Sequence, residues 1–438
     1  MSYVDVLNLE WSSAPSRDRI VSTLISNYLR VQGYNVMERS VFEGFKLLKT
    51  HKPKLFFING AIGAKLNFDL VKYAKSIGCK VVSLSAEGNF TDDKSIGIGP
   101  YFWGWNKEKV LAEDYNLVWS SRVKEMIVSE FPDLTSRLLV SGGVGFDQYK
   151  INTKIDRNAF LKRYNKGQFN YFVGLGCWDF GTMFEEDYRH KEIAKMFNTS
   201  EIERFKGDRI LFREIILRII ENNPDVMFII KEHPGRQLGY KSSAIEGIEK
   251  YNNTIVIKRE EPVDRCILMS DLWLVYESTT ALEAWLYEKN TYKINPSGPD
   301  FKRNKLHYGS ELLMKAQDVQ NIIDSYKSKN KPAFELSPLR KSLIERIIGW
   351  EDGLNHVRAG NVMIDLMENG PKINKSRTDL KSQFAALKHG LANWRYSSDN
   401  FDIGQVKEYA NMQTTLQLDY YNRKNLSLKE LLKINATL

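Results

Sequence analysis

A histidine stands directly after an apolar run in VMFIIKEHPG, residues 226–235. The run VMFII is typical of a buried strand, and Pro234 cannot extend the ladder of a sheet, so we expect His233 in the loop at the strand's carboxyl end. An imidazole at this place can donate to a phosphate or protonate a leaving-group oxygen. The simpler alternative is a histidine that only caps a turn.

Three hydroxyl residues, Ser278, Thr279 and Thr280, lie between an apolar run and a helix-forming stretch in LWLVYESTTALEAWLYEK. Hydroxyls at the start of a helix satisfy its free backbone N–H groups, and the same helix end can bind a phosphate. Glu283 falls near the first turn, where it could accept from ribose hydroxyls or simply favour the helix dipole. A helix cap without a ligand remains the alternative.

Two glycines, Gly174 and Gly176, follow the start of the strand-like run NYFVGLG. Glycine permits a close approach of the backbone to a ligand, which makes both residues candidates for nucleotide binding. The run matches neither GxGxxG nor a Walker loop, so nicotinamide and ATP are disfavoured. Cys177 next to them has no visible base and is interpreted as structural.

Carboxylates supply the candidate bases. Glu87 ends the strand-like run of KVVSLSAEGNFTDD, and a carboxylate there could take a proton from an acceptor hydroxyl. Asp92 a few residues on is a weaker candidate for that role. A double displacement with retention would need a carboxylate nucleophile, for which Glu87 or Asp179 could serve. For Glu87, a solvated loop acid is the alternative.

These residues need a scaffold, and strand-like runs alternate with helical stretches along most of the chain. This rhythm predicts an α/β fold with parallel sheets, in which polar residues that follow strands meet at one edge. We predict an N-terminal Rossmann-like domain over 1–150, a linker over 151–166, a second Rossmann-like domain over 167–370, and a basic helical tail over 371–438, with a cleft between the two domains.

Composition narrows the function further. The chain has 438 residues with 42% hydrophobic and 27% charged residues, which are ordinary globular values. The sequence contains neither a membrane-length apolar run nor a signal-peptide pattern, and its three cysteines are widely spaced, which disfavours a disulfide framework and a zinc site. We therefore predict a cytoplasmic protein. The formal charge of +9 could indicate nucleic acid, an anionic membrane or a phosphorylated substrate.

Taken together, the motifs resemble those of two-domain GT-B glycosyltransferases of bacterial surface polysaccharide (capsule and O-antigen) synthesis, in particular sialyl- and Kdo-type transferases that use CMP-activated sugars. That family carries an HP motif, here His233-Pro234, and a Ser-Ser/Thr motif, here Ser278-Thr279. It also carries an acidic pair before a glycine, matched by Ala86-Glu87-Gly88. The family's first acidic position, usually the base, is Ala86 here.

The resemblance implies transfer of a nonulosonate or Kdo-like sugar from a CMP-linked donor to a hydroxyl of a surface glycan, without a metal or a cofactor beyond that co-substrate. His233 and the hydroxyls at 278–280 would stabilise the departing phosphate, and Glu87 would activate the acceptor. One alternative is a CDP-glycerol or CDP-ribitol type polyol-phosphate transferase, and another is a GT-B-fold UDP-sugar epimerase. The remaining alternative, a protein that binds nucleic acid, is supported by the basic net charge alone.

More than half of the excess charge lies in the tail. Residues 371–438 contain eleven Lys and Arg against six Asp and Glu. An amphipathic segment with Phe384, Leu387, Leu391 and Trp394 is suited to peripheral contact with an anionic inner membrane, where lipid-linked acceptors lie. The alternative is a solvated helix that packs on the second domain.

Overall fold

The computed structural model divides the chain into two compact units, unit 1 with residues 1–152 and 344–438, and unit 2 with residues 153–343. The residues that the structure describes are 3–61, 64–85, 90, 92, 94–104, 106–187, 189–194, 197–233, 244–258, 260–298, 305–328, 332–371, 380–393 and 401–436.

Unit 1 is built on a six-stranded parallel sheet in the order β2-β1-β3-β4-β5-β6. Its strands alternate with helices along the chain, as crossover connections between parallel strands require. Leu7, Phe56 and Val81, from three adjacent strands, are fully buried. The strands are β1 (Val6–Glu10), β2 (Val36–Ser40), β3 (Leu55–Asn59), β4 (Lys80–Leu84), β5 (Tyr115–Val118) and β6 (Leu138–Val140).

Unit 2 contains a second parallel six-stranded sheet, in the order β12-β11-β10-β7-β8-β9. The chain starts in the middle at β7, winds to β9 on one side, and returns to β10 on the other side. The strand order therefore reverses between β7 and β10, the place where open parallel sheets bind ligands. The strands are β7 (Tyr171–Gly176), β8 (Val226–Lys231), β9 (Thr254–Ile257), β10 (Leu272–Val275), β11 (Thr291–Ile294) and β12 (Glu311–Leu313).

Helices connect the strands in both units. In chain order they are α1 (Arg17–Val31), α2 (Gly44–His51), α3 (Lys65–Ser76), α4 (Lys94–Gly97), α5 (Ser121–Val128), α6 (Gln148–Ile151), α7 (Arg157–Arg163), α8 (His190–Ile193), α9 (Thr199–Asn222), α10 (Val263–Met269), α11 (Thr280–Leu286), α12 (Ala316–Lys327), α13 (Pro338–Ile348), α14 (Asn355–Asn369), α15 (Leu380–Asn393), α16 (Ile403–Arg423) and α17 (Leu428–Leu431). In the part of the chain that the structure describes, no helix is long and apolar enough to cross a bilayer.

The predicted α/β class with two parallel sheets and a helical C-terminal region is confirmed, but the domain boundaries differ from the prediction. The second unit ends at residue 343 rather than 370, and the segment predicted as a linker contains α7 inside unit 2. The C-terminal helices instead return to unit 1. Tyr28 of α1 donates to Asn361 of α14 at 2.5 Å, and Gln417 of α16 donates to the carbonyl of Leu24 at 3.0 Å.

A buried polar network holds these C-terminal helices. His356 of α14 is fully buried, with Nδ1 at 2.7 Å from a carboxylate oxygen of Asp147 and Nε2 at 2.5 Å from the hydroxyl of Tyr421 in α16. Burial raises the pKa of Asp147, while its contacts to His356 oppose that rise. Residues 401–436 of the tail thus pack on unit 1, through partners that include His356 and Asn361, two residues that the sequence prediction placed in the second domain.

Candidate functional site

Three neighbouring strands of unit 2 end at one edge of the sheet. In the register, Gly176 of β7 lies opposite Lys231 of β8 and Val275 of β10. The residues that follow, Asp179 after β7, His233 after β8 and Ser278 after β10, therefore leave the sheet at the same carboxyl edge. This is the edge that contains the reversal of strand order, so the predicted residues are gathered where a ligand would bind.

His233 combines exposure with an acidic partner. Its side chain is 43% exposed, and Nδ1 lies 3.6 Å from Oδ2 of Asp179, whose own side chain is 11% exposed. A carboxylate beside Nδ1 orients the imidazole and stabilises the imidazolium that forms when the ring takes up a proton. The exposed ring can exchange a proton with a ligand, while Asp179 is held inside the protein.

Asp179 is held in turn by an arginine. Arg189 Nη2 lies 2.8 Å from Asp179 Oδ2 and 2.7 Å from Oδ2 of Asp187, and the Asp187 side chain is fully buried. Burial by itself would raise the pKa of Asp179. The contacts with His233 and Arg189 outweigh that effect and hold the pKa of Asp179 below its ordinary value. The site therefore contains a fixed negative charge directly behind the histidine.

Two of the three hydroxyl residues after β10, Ser278 and Thr280, form hydrogen bonds within the protein. Ser278 Oγ accepts from the backbone N–H of Thr280 at 3.3 Å, so Ser278 turns back on the start of α11. Thr280 Oγ1 lies 2.9 Å from Ser278 Oγ and accepts from the indole N–H of Trp273 at 2.9 Å. Thr279 is the residue before the helix, but its side chain makes no capping bond. Phosphate binding by these hydroxyls stays a prediction, with Thr280 already occupied by the indole.

Glu283 lies in a different environment from the one we expected. Its side chain is 1% exposed inside unit 2, and its charge raises the pKa of the neighbouring Asp264, which burial brings to about 6. A carboxylate this deeply buried has no open surface to offer to a ribose. The structure therefore favours an interior role for Glu283 over the predicted ribose contact.

The two glycines of β7 are explained by packing. A Cβ on Gly174 would lie 2.1 Å from the ring of Trp273 and 2.3 Å from Ser270 Oγ, and one on Gly176 would lie 2.4 Å from Thr280 Oγ1. The space that sequence analysis reserved for a ligand is filled by protein atoms at both positions. Close packing of β7 against Trp273 of β10 and Thr280 of α11 replaces the ligand as the reason for these glycines.

Substituting alanine for Gly174 is therefore expected to destabilise unit 2 by about 3 kcal/mol, the upper end for overpacking a core, since Trp273 is fully buried and cannot move aside. Chemical denaturation measures the loss. The matched control is Gly207→Ala in α9, where a Cβ meets no atom within 4 Å. That change should raise stability slightly, because alanine is the better helix former. Equal effects of the two substitutions would contradict the packing explanation.

Of the two candidate bases in unit 1, Glu87 and Asp92, the structure describes only Asp92. Glu87 lies outside the described residues, as do its neighbours Ala86 and Gly88, and so does Pro234 in unit 2. Asp92 is described and forms ion pairs with Arg122 and Arg346, each at 3.1 Å. A carboxylate between two guanidinium groups is well suited to a structural ion pair, which weakens the case for Asp92 as a base.

A pocket opens in unit 1 at the carboxyl ends of β3 and β4. Its lining includes Gly60, Leu84, Ser85, Tyr101 and Asn116. Ser85 precedes the segment that contains Glu87. The pocket mixes apolar and hydrogen-bonding groups, and its cavity volume of about 30 Å³ is that of a water-sized space.

Sequence reasoning missed two buried polar groups beside the unit 2 site. Lys293 of β11 is fully buried, and its ammonium lies 2.6 Å from Glu277, which directly precedes Ser278. Asp208 of α9 accepts from the hydroxyl of Tyr276 at 2.5 Å and from Ser297 at 2.6 Å. The sequence carries a signal for the first of them: Lys293 stands within the apolar run TYKI, and a lysine buried in a strand needs a carboxylate partner.

The chain matches no protein-family model and no curated protein. Solved structures do share its fold. A candidate UDP-N-acetylglucosamine 2-epimerase of Listeria monocytogenes has a TM-score of 0.53 at 12% identity, covering 85% of this chain and 99% of that one. The complex of S. aureus MnaA with UDP has a TM-score of 0.52 at 13% identity, covering 84% and 98%.

The wall teichoic acid polymerase TagF has a TM-score of 0.53 at 11% identity, covering 83% of this chain and 89% of that one. Identities this low show the fold alone. The chain thus has a GT-B-like fold, with the two Rossmann-like sheets that its sequence predicted.

Proposed function

We propose that this chain is a GT-B-fold transferase that moves a polyol phosphate from a CDP-linked donor to a hydroxyl of a surface polymer. The observation that carries the proposal is the exposed His233 backed by Asp179 at 3.6 Å, at the carboxyl edge of the unit 2 sheet. An imidazole oriented by a carboxylate is suited to accept a proton from an attacking hydroxyl.

In the proposed step, the acceptor oxygen attacks the β-phosphorus of the CDP-linked donor. A new phosphorus–oxygen bond forms, the bond from that phosphorus to the bridging oxygen breaks, and CMP departs with the electron pair. His233 accepts the hydroxyl proton, and Asp179 stabilises the imidazolium that results. Ser278 lies at the same edge of the sheet and is proposed to donate to a phosphate oxygen. The proton is afterwards released to water.

This proposal changes the donor that the sequence favoured. For a CMP-linked nonulosonate, the sequence assigns the role of the base on the acceptor side to Glu87. His233 with Asp179 provides a base within unit 2 itself. The fold likeness to a wall teichoic acid polymerase supports a surface-polymer acceptor. Peripheral contact with the membrane that carries such an acceptor belongs to the same proposal.

Thermal denaturation with candidate donors tests the proposal. CDP and CDP-glycerol are expected to raise the melting temperature by several degrees at saturating concentration, because a ligand that binds only the native state stabilises it by about 2.7 kcal/mol at a hundred times its Kd. CMP-sialic acid, CMP-Kdo and UDP-N-acetylglucosamine are the comparison ligands. A rise with UDP-N-acetylglucosamine alone would favour the epimerase alternative, and a rise confined to the CMP-sugars would restore the original donor.

A further inference from the structure

Helix α15 in the C-terminal region of unit 1 exposes large apolar side chains. Leu380 and Phe384 are each 69% exposed and Leu387 is 64% exposed. Their spacing of four and three residues places them on one side of the helix, since each residue advances the helix by about 100°. We call these three residues the apolar ridge. Leu391 continues the spacing, but its side chain and Trp394 lie outside what the structure describes.

The opposite side of α15 is the side that packs. Ser382 is 4% exposed, and Ala386 packs against the unit 1 core. His389 stacks on Phe45 with ring centroids 5.6 Å apart, and its Nε2 lies 2.8 Å from Oδ2 of Asp69 in α3. The helix is therefore attached to unit 1 by its small and polar residues.

This orientation is the reverse of the usual one for a surface helix, whose apolar stripe normally faces the core. Folding of unit 1 does not account for the apolar ridge, because the anchoring contacts of α15 lie on the other side. A ridge of two leucines and a phenylalanine left in water is unfavourable, and such exposed patches mark interaction sites. The apolar ridge therefore needs an apolar surface outside this unit.

The charges on α15 indicate which surface this is. Lys381 and Lys388 are exposed on one flank of the apolar ridge, and the sequence of the helix, LKSQFAALKHGLAN, contains no Asp or Glu. The eight residues before it, 372–379, add two further lysines and an arginine against a single aspartate. Large apolar side chains bordered by lysines without acids complement a layer of anionic headgroups over acyl chains. A protein partner would be expected to require some acidic or directional groups as well.

We propose that α15 is a membrane-docking element that inserts the apolar ridge into an anionic lipid surface while Lys381 and Lys388 lie at headgroup level. His389 and Asp69 keep the helix on unit 1, so docking fixes the face that unit 1 turns to the membrane. This proposal names the element responsible for the membrane contact that is part of the proposed function, but it does not depend on the donor or on the chemistry assigned to unit 2.

Co-sedimentation of the full chain with vesicles tests it. The chain is expected to bind vesicles of phosphatidylcholine with 30% phosphatidylglycerol, to bind pure phosphatidylcholine much more weakly, and to lose affinity as salt rises. The triple variant L380Q/F384Q/L387Q should bind at least 100-fold more weakly, since each large apolar side chain contributes on the order of tenfold to partitioning. Its melting temperature should match that of the parent, because all three side chains are exposed.

The matched control is M412Q/L418Q, which removes exposed apolar side chains from α16 of the same unit (47% and 39% exposed) and should bind like the parent. Absence of binding to anionic vesicles, or equal binding by the triple variant, would overturn the proposal. Light scattering in parallel separates another outcome: concentration-dependent dimers that the triple variant abolishes, with no vesicle binding, would assign the apolar ridge to a second copy of the chain and refute the lipid assignment.

Discussion

Replacing His233 with asparagine is expected to lower the turnover of polyol-phosphate transfer by about 10²–10⁴-fold, the range that general-base catalysis contributes. Asparagine keeps a polar side chain of similar size but cannot accept a proton at neutral pH. The His233 side chain is 43% exposed, so the melting temperature should change little. Release of CMP from CDP-glycerol in the presence of a polymer acceptor measures the rate, and turnover close to that of the parent would refute the base assignment.

Asp179→Asn separates positioning from chemistry at the same site. The substitution removes the fixed negative charge next to His233 but leaves the imidazole in place, so we expect kcat to fall while KM for the donor changes little. Asp179 is also paired with Arg189, so a stability loss has to be measured separately. Asp179→Glu restores the negative charge. If it restores kcat while its melting temperature equals that of Asp179→Asn, the role of Asp179 is electrostatic and not structural.

Local patterns predicted the position of His233 and Ser278 well. An apolar strand followed by a polar residue places that residue at the carboxyl edge of a parallel sheet, whatever the details of the fold. Both residues lie there because β8 and β10 flank β7. The same rule brings in Asp179, which sequence analysis considered only as a possible nucleophile. Its pairing with His233 depends on strand order, and strand order is not encoded in any single segment.

The glycines of β7 show a different limit. The sequence pattern predicts that Gly174 and Gly176 permit a close approach of the backbone to a ligand. A glycine required by an adjacent tryptophan produces the same sequence pattern. Only the contact with Trp273, about a hundred residues away along the chain, separates the two explanations.

The tail shows why amphipathicity alone left two alternatives open. Its spacing correctly predicted that α15 has an apolar side, and either docking or packing could have used that side. The structure shows that 401–436 packs on unit 1 through tyrosines and amides, whereas α15 packs through small and polar residues. Helices that are neighbours in the sequence thus pack on unit 1 through different kinds of side chain, and the amino-acid composition does not show which kind each helix uses.

A buried carboxylic acid in unit 1 should make the stability of the chain depend on pH. Glu10, the last residue of β1, is 4% exposed and accepts a hydrogen bond from Ser22. Burial, together with the nearby charge of Asp18, raises the pKa of Glu10 to about 8. The folded state therefore keeps the proton up to about pH 8, while the unfolded chain releases it near the ordinary value of 4.5. The free energy of unfolding consequently falls as pH rises between these two values.

Glu10→Gln should remove this dependence, because glutamine is a neutral isostere that still accepts from Ser22. We expect the variant to match the parent near pH 4.5 and to exceed it at pH 8 by on the order of a few kcal/mol. Hydrogen exchange of the β1 and α1 amides, measured across pH 4.5–8 and corrected for intrinsic exchange rates, reports stability at this place without assuming that both units unfold together. The exposed Glu130→Gln is the control and should show no such trend. A constant difference between Glu10→Gln and the parent at every pH would mean that Glu10 is ionised in the folded protein.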